Sequence, residues 1–272
     1  MNKLLRANFA RLKKDRVFWI CMAFMFAAGI FGVIMKRIND PAATADQLLL
    51  IFPVFIGIVS AAFCSLYIGT EYSDGTIRNK LIVGHTRNAV YLSNFITCSA
   101  AGIVMCLSYI AAVAALGIPL LGLSERSMGA VIVLILVAFM TVIACTALFA
   151  LLCMLNQNKA TAAVVCILMI VALLVMASML NSWLEEPPFY DSCVITDSVG
   201  STSTEKVANP HFLTGTKREV VQFFLDFLPT GQAIEICSQS TPHLWQMPLY
   251  SLGITLGLTG FGVLRFRKKD LK

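Results

Sequence analysis

Met128–Leu155 reads MGAVIVLILVAFMTVIACTALFALLCML, a stretch without one Asp, Glu, Lys, Arg or His. A bilayer core ~30 Å thick is crossed by about 20 apolar residues in a helix, and this run exceeds that. Five more runs of the same kind surround it: Val17–Met35, Leu48–Gly69, Phe95–Leu121, Ala160–Trp183 and Met247–Leu264. None of them holds a charged residue or a histidine. Backbone in lipid must satisfy its own hydrogen bonds, so runs of this length imply helices. The expected fold is an all-α polytopic membrane protein with six transmembrane helices, formed by residues 1–272 as one domain.

Composition agrees. Hydrophobic residues make up 58% of the 272 and charged residues 13%, against about 45–50% and about 25% in soluble domains. The net charge of +6 is explained by its distribution and needs no nucleic acid. Six Lys/Arg precede the first run, three lie between the second and third, one between the fourth and fifth, and five follow the sixth. These fifteen share one side of the membrane, and the other side holds six. The positive-inside rule therefore predicts cytoplasmic termini in a bacterial-type plasma membrane.

Before the first run stand Lys3, Arg6, Arg11, Lys13, Lys14 and Arg16. The apolar stretch behind them is too long for a signal peptide's core, and no small-residue cleavage site follows. Leu5, Phe9 and Leu12 recur at i, i+4 and i+7, predicting an amphipathic helix over 1–16 in the cytoplasmic headgroup layer. Phe18 and Trp19 sit where an interfacial anchor belongs.

The absence of charge in the runs removes much chemistry. Ion-coupled carriers place ionisable groups within the membrane, and an intramembrane protease needs a motif such as H-E-x-x-H, which is absent. Ser60, Ser65, Thr97, Ser99, Ser108, Thr141, Thr146, Ser178 and Asn181 are the polar residues a channel or secondary transporter would use. Such residues more often bond to backbone. Nine cysteines form no metal-ligand spacing. Cys193 and Cys237 alone fall on the predicted outer side, where a disulfide is permitted; bridged and free thiols both remain open, because sequence does not supply their separation.

Two connections are long enough to hold structure. The external one, Leu184–Gln246, carries a net charge of −5. Its 185–210 part has Pro187-Pro188 and a polar run from Ser198 to Thr204, and reads as loop. Its 219–239 part is apolar and broken by Pro229-Thr-Gly231, which predicts a helix–turn–helix at the outer interface. The cytoplasmic connection, Thr70–Asn94, predicts a short helix from about Gly75 to Ile82, capped by Ser73 or Asp74. Ile77 and Leu81 share one face of it beside Arg78 and Lys80, as two apolar knobs suited to a groove on a soluble partner.

These residues resemble the signature of ABC-2-type transporter permeases: a glutamate leaving the second span, Gly-Thr, a leucine pair, a turn and an arginine before the third span. Glu71, Gly75-Thr76, Leu81 and Arg87 match it, and Tyr91 matches a frequent aromatic. Ile82, Gly84 and Ser93 depart from it. The basic N-terminal helix, six spans, long last external loop and basic tail extend the likeness over the whole chain.

The resemblance implies a permease subunit of an ATP-driven exporter, itself no enzyme and without a cofactor. ATP and Mg would be bound by a separate ATPase subunit; this chain has no G-x-x-x-x-G-K-[ST] cradle. Glu71, Gly75, Thr76, Ile77, Arg78, Leu81 and Arg87 would form the ATPase-docking coupling helix within 70–94. The partners implied are an ABC ATPase, a second copy or related permease, and the lipid bilayer; the cargo would be an apolar or amphipathic compound or peptide. A non-transporting sensor or immunity subunit, or a secondary transporter or channel, is the alternative. Gly253, Gly257 and Gly260 on the last run are expected to pack within the bundle rather than at a dimer seam.

Overall fold

In the computed structural model, residues 1–40, 44–123, 128–195 and 202–270 are described, with backbone alone for 191–195 and 202–205. Helix α1 (Asn2–Lys14) ends at Asp15, whose carboxylate accepts from Phe18 N and so caps α2 (Arg16–Asn39). A side-chain oxygen here satisfies a donor that the first helical turn leaves free. Trp19 Nε1 donates back to Lys13 O at 2.9 Å, fixing the corner between the two helices.

The second span is broken. A short α3 (Ala45–Leu49) is followed by α4 (Phe52–Ser73), with Pro53 in the first turn of α4. Proline is tolerated in a first turn, but it has no N–H to donate to Leu49 O and its ring crowds that carbonyl, which is why the run is not one rod. Then come α5 (Thr76–Ile82), α6 (Arg87–Leu121), α7 (Met128–Leu155) and α8 (Lys159–Glu185). Residues 87–94, read from sequence as part of the connection, form the first two turns of α6. Thr86 begins it, its Oγ1 accepting from Ala89 N. Asn158 accepts from Ala160 N and Thr161 N and caps α8 after the tight turn.

The external connection corrects the all-α expectation. Phe189–Ile195 (β1) and Thr202–Ala208 (β2) pair antiparallel, with Phe189 opposite Ala208 and Tyr190 opposite Val207. Phe189, Tyr190, Val194 and Ile195 of β1 and Thr202, Thr204 and Val207 of β2 are aromatic or β-branched, and such side chains favour a pleated surface over coil. Residues 196–201 of the polar run lie outside the described residues. So does the Cys193 side chain, and with it any pairing to Cys237.

After the hairpin come α9 (Thr216–Phe227) and α10 (Pro229–Ser238), the expected helix–turn–helix, and the last span α11 (Gln246–Arg267). Six helical segments, α3 and α4 counted as one, are long and apolar enough to cross a membrane. In the bundle α2 packs on α6, α4 lies between α7 and α8, and α11 lies against α7 and α6. Tyr67, Phe63, Tyr109 and Phe149 are among its largest fully buried side chains. The segment from Phe266 to Asp270 lies at the end of the bundle that carries α1 and α5, since Arg87 donates to Phe266 O and Gln157 to Asp270 O.

At the opposite end α10 does not cross. It is buried among α4, α7 and α8, and Gln232 is its hub. Its Oε1 accepts from Thr141 at 2.8 Å and Ser251 at 2.6 Å; its Nε2 donates to Asp226 O and Met247 O. A buried amide is stable only when its donors and acceptor are engaged, and here they are. The corner before it is tight: a Cβ on Gly231 would run into the carbonyl of Leu225.

Several polar span residues bond their own helix, while Ser60 and Ser99 are buried with no hydrogen-bond partner among the described residues. Ser65, Thr97 and Thr146 donate to the carbonyls of Ala62, Ser93 and Val142. The glycines of α11 depart from expectation. A Cβ at Gly253, Gly257 or Gly260 would meet nothing within 4 Å, so they lie on the outer surface of this chain.

Candidate functional site

The turn after α4 needs one left-handed residue, and Gly75 supplies it at φ +66°. A residue without Cβ adopts this conformation at no steric cost. The reversal brings α5 back against the end of α4, and Thr76 Oγ1 fastens it by donating to Glu71 O at 2.9 Å. Neither Ser73 nor Asp74 caps α5, contrary to the sequence reading; Ser73 Oγ donates to Gly69 O instead.

Glu71 is the centre of what this reversal builds. Its side chain is fully buried and accepts from Arg11 of α1 and Lys80 of α5. Its second oxygen accepts from Asn94 Nδ2 of α6 at 2.7 Å. Burying a lone carboxylate costs several kcal/mol, so its persistence here rests on two cations and a charge-assisted hydrogen bond.

A second ring of contacts closes around it. Asn8 Nδ2 donates to Asn94 Oδ1 at 2.8 Å, and Asn8 Oδ1 accepts from Lys80 Nζ at 2.9 Å. Tyr67 OH donates to Asn8 O, and Arg11 lies over the Tyr67 ring at 3.8 Å while donating to Tyr67 O. Burial lowers the Lys80 pKa, and the Glu71 carboxylate opposes that shift. Four helices thus meet at one carboxylate. Helix α1 accordingly buries Leu4, Asn8 and Leu12 against the bundle, one step round from the Leu5, Phe9, Leu12 face expected from periodicity.

The apolar knobs also require correction. Ile77 is 1% exposed and belongs to the protein's own core, and Leu81 packs half-buried beside it. Outward at the end of the same helix are Ile82, 75% exposed, and the following Val83, 78% exposed, with the exposed Arg78 and Asn79 on the helix before them. A two-residue i, i+4 face shows that a helix is one-sided without showing which side is free.

Arg87 does not join the Glu71 cluster. Its guanidinium donates to Phe266 O and Lys269 O, holding the segment that follows α11. Lys269 completes this second fastening, donating to Met154 O at 3.0 Å and Tyr72 OH at 3.4 Å. Burial pushes its pKa down to about 8. Of the seven residues singled out from sequence, the structure therefore unites Glu71, Gly75 and Thr76, buries Ile77 and Leu81, exposes Arg78 and diverts Arg87. Sequence reasoning did not single out Asn8 or Asn94, and it named Arg11 and Lys80 without joining them to Glu71. The one signal available was Asn8 between Leu4 and Leu12, a polar residue on an otherwise apolar helical face.

The sequence model described as "ABC-2 family transporter protein" matches residues 4–176, nearly two thirds of the chain. This chain belongs to that family. The match begins in α1, takes in the whole Glu71 cluster and ends within α8, so the strand hairpin, α9, α10 and α11 lie beyond it. No curated protein matches the chain. As an ABC-2 family member with six membrane-crossing helices, it is a membrane component of ABC-type transport.

Proposed function

We propose that this chain is the permease subunit of an ATP-driven exporter, and that a separate ATPase docks on α5 through Ile82 and Val83, with Arg78 beside them. One observation carries the reading: a seven-residue helix and the residue that ends it expose two apolar side chains, Ile82 and Val83, while its other face is anchored to a buried carboxylate. An exposed apolar pair on a fixed, short helix suits a pocket on a partner, since buried anchors dominate docking energy. The anchoring makes α5 a lever. Force on it passes to α4 through Lys80, Glu71 and Thr76, and to α1 through Asn8 and Arg11.

The excess of Lys and Arg on the α1, α5 and termini side supports a cytoplasmic placement for this surface. ATP and Mg belong to the partner ATPase, and the working unit contains a second permease. The cargo is an apolar or amphipathic compound, consistent with spans that hold no charge. The test is the double variant Ile82→Asp/Val83→Asp, expressed with its ATPase. Normal membrane abundance with loss of ATPase co-purification and of ATP-dependent transport in liposomes is expected. Retained co-purification overturns the docking role of Ile82 and Val83; a wild-type permease that binds no ATPase leaves the non-transporting or secondary-transport readings.

A further inference from the structure

A groove of about 500 Å³ follows α2 past the break in the second span, in the half of the bundle away from α5. Helix α2 lines it with Phe24, Ala28, Phe31 and Gly32, and the broken span with Ile51 and Phe55. We propose that it holds one acyl chain of a phospholipid whose phosphate meets Lys36 and Arg37.

The lining selects hydrocarbon. Tyr109 brings a hydroxyl to it, and that hydroxyl is spent on Leu48 O at 3.1 Å; the other lining residues are apolar. Phe24, Phe31 and Phe55 are exposed, so the groove opens on a surface that faces lipid. Its dimensions suit a single chain. From Phe24 to Met35, both in the lining, α2 rises ~16 Å. Spread over that length, about 500 Å³ leaves a mean cross-section of ~30 Å². A helix ~10 Å across needs ~80 Å², so the groove cannot take in a helix of a second copy. The length is about half of the ~30 Å hydrocarbon core, the depth of one leaflet.

The end of the groove has the charge that a phosphate needs. Lys36 and Arg37 follow Met35 directly and are the first charged residues after Arg16, which puts them at headgroup level. Lys36 stands four residues beyond Gly32, on the same helical row as Phe24, Ala28 and Gly32. Its ammonium meets Asp40 at only 3.9 Å, in an exposed i, i+4 pair of the less favourable order. Such a pair is weak beside a charge-assisted bond to phosphate. Arg37 is exposed and presents a planar fork. Between Met35 and Leu50 the acidic residues are Asp40 and Asp46, and Asp46 is buried, so the exposed balance is positive. A chain lying against Leu48 of α3 and Phe55 of α4 braces the interruption between those helices. The site does not depend on the docking of an ATPase.

The test uses the full chain, stripped of lipid in detergent, with palmitoyl-oleoyl-phosphatidylglycerol as probe and palmitate and glycerol phosphate as its two halves, read by native mass spectrometry. Saturable binding of the phospholipid is expected, with either half at least about tenfold weaker. Gly32→Leu fills the groove, since a Cβ there has room beside Leu48 and Tyr109, and should weaken binding at least about tenfold. Lys36→Gln/Arg37→Gln, outside the groove, should weaken it about tenfold. A phospholipid with a diazirine in its acyl chain should label residues 24–35 or 48–55, and Gly32→Leu should suppress that labelling. The proposal is overturned by failure of the wild type to bind, by wild-type affinity in either variant, by labelling elsewhere, or by a dimeric mass with α2 cross-linked to α2 of a second copy.

Discussion

Lys80 reaches back across the Gly75 turn to the carboxylate of Glu71, nine residues earlier, and the same Nζ donates to Asn8 of α1. The short helix is therefore held by charge as well as by Ile77. Glu71→Gln leaves Arg11 and Lys80 without their counter-charge, and breaking such a buried pair costs about 3–5 kcal/mol. Lys80→Met in the Glu71→Gln background should recover part of the loss, because one orphaned cation is then gone. Thermal unfolding of the four species as a double-mutant cycle measures this coupling. Additive losses would show that Lys80 and Glu71 do not act together.

Two isoleucines of one helix should behave oppositely. Ile77→Ala opens a cavity in the core and should cost about 2–4 kcal/mol, with reduced abundance. Ile82→Ala removes a side chain that touches little of this chain, and its effect on the isolated permease should stay within about 0.5 kcal/mol. Equal effects in a thermal-shift assay would contradict the placement of the two residues.

The corner between α9 and α10 admits no side chain at position 231. Gly231→Ala sets a methyl against the carbonyl of Leu225, which is backbone and cannot turn aside. Overpacking of this kind costs about 1–3 kcal/mol, and the upper end is expected here. Lowered melting temperature with unchanged membrane insertion is the expected outcome, read on purified protein.

Stability should fall as pH rises from weakly acidic to alkaline. Burial, reinforced by the nearby Asp226 carboxylate, pushes the Glu235 pKa from 4.5 up to about 8. Gln222 opposes the shift, and the other ionisable groups near Asp226 are Arg218, Glu219 and His243, which line one cavity with it. Between those two values the folded chain keeps a proton that the unfolded chain has released. Unfolding is thus favoured progressively through that window and no further above it. Glu235→Gln removes this dependence. Relative to wild type it should be more stable at about pH 9 than at about pH 5. A constant difference in melting temperature across that range would count against the buried carboxyl.

Orientation in the membrane has a direct test. In a cysteine-free background, a cysteine replacing the exposed Lys217 should react with an impermeant maleimide added to intact cells, and one replacing Arg267 should not. The reverse pattern would place α5 outside, where no ATPase could meet it.

What the sequence revealed depended on whether the relevant physics is local. The six spans were legible because an uncharged run such as Met128–Leu155 states its solvent outright. Pro229 and Gly231 marked the α9–α10 corner for the same reason: their backbone restrictions act where they stand. The break before Phe52 was equally local in Pro53, yet it was hidden by the strength of the surrounding hydropathy. The hairpin was missed because the polar residues around Ser198–Thr204 outweighed the strand-forming character of 189–195. The partners of Glu71 were beyond reach. Arg11 lies sixty residues upstream, and only the packing of α1 against α6 brings it near. For Ile77 and Ile82, adjacency on a seven-residue helix left the choice of inward face to tertiary packing.

The four hydrogen bonds of Gln232 set a rule for motion at the outer end. Its amide cannot release Thr141, Ser251 and the two carbonyls one at a time without stranding polar groups where no water reaches. Displacement of α10 must therefore break these bonds together. Its rate should rise steeply with temperature, as concerted rupture of several bonds does.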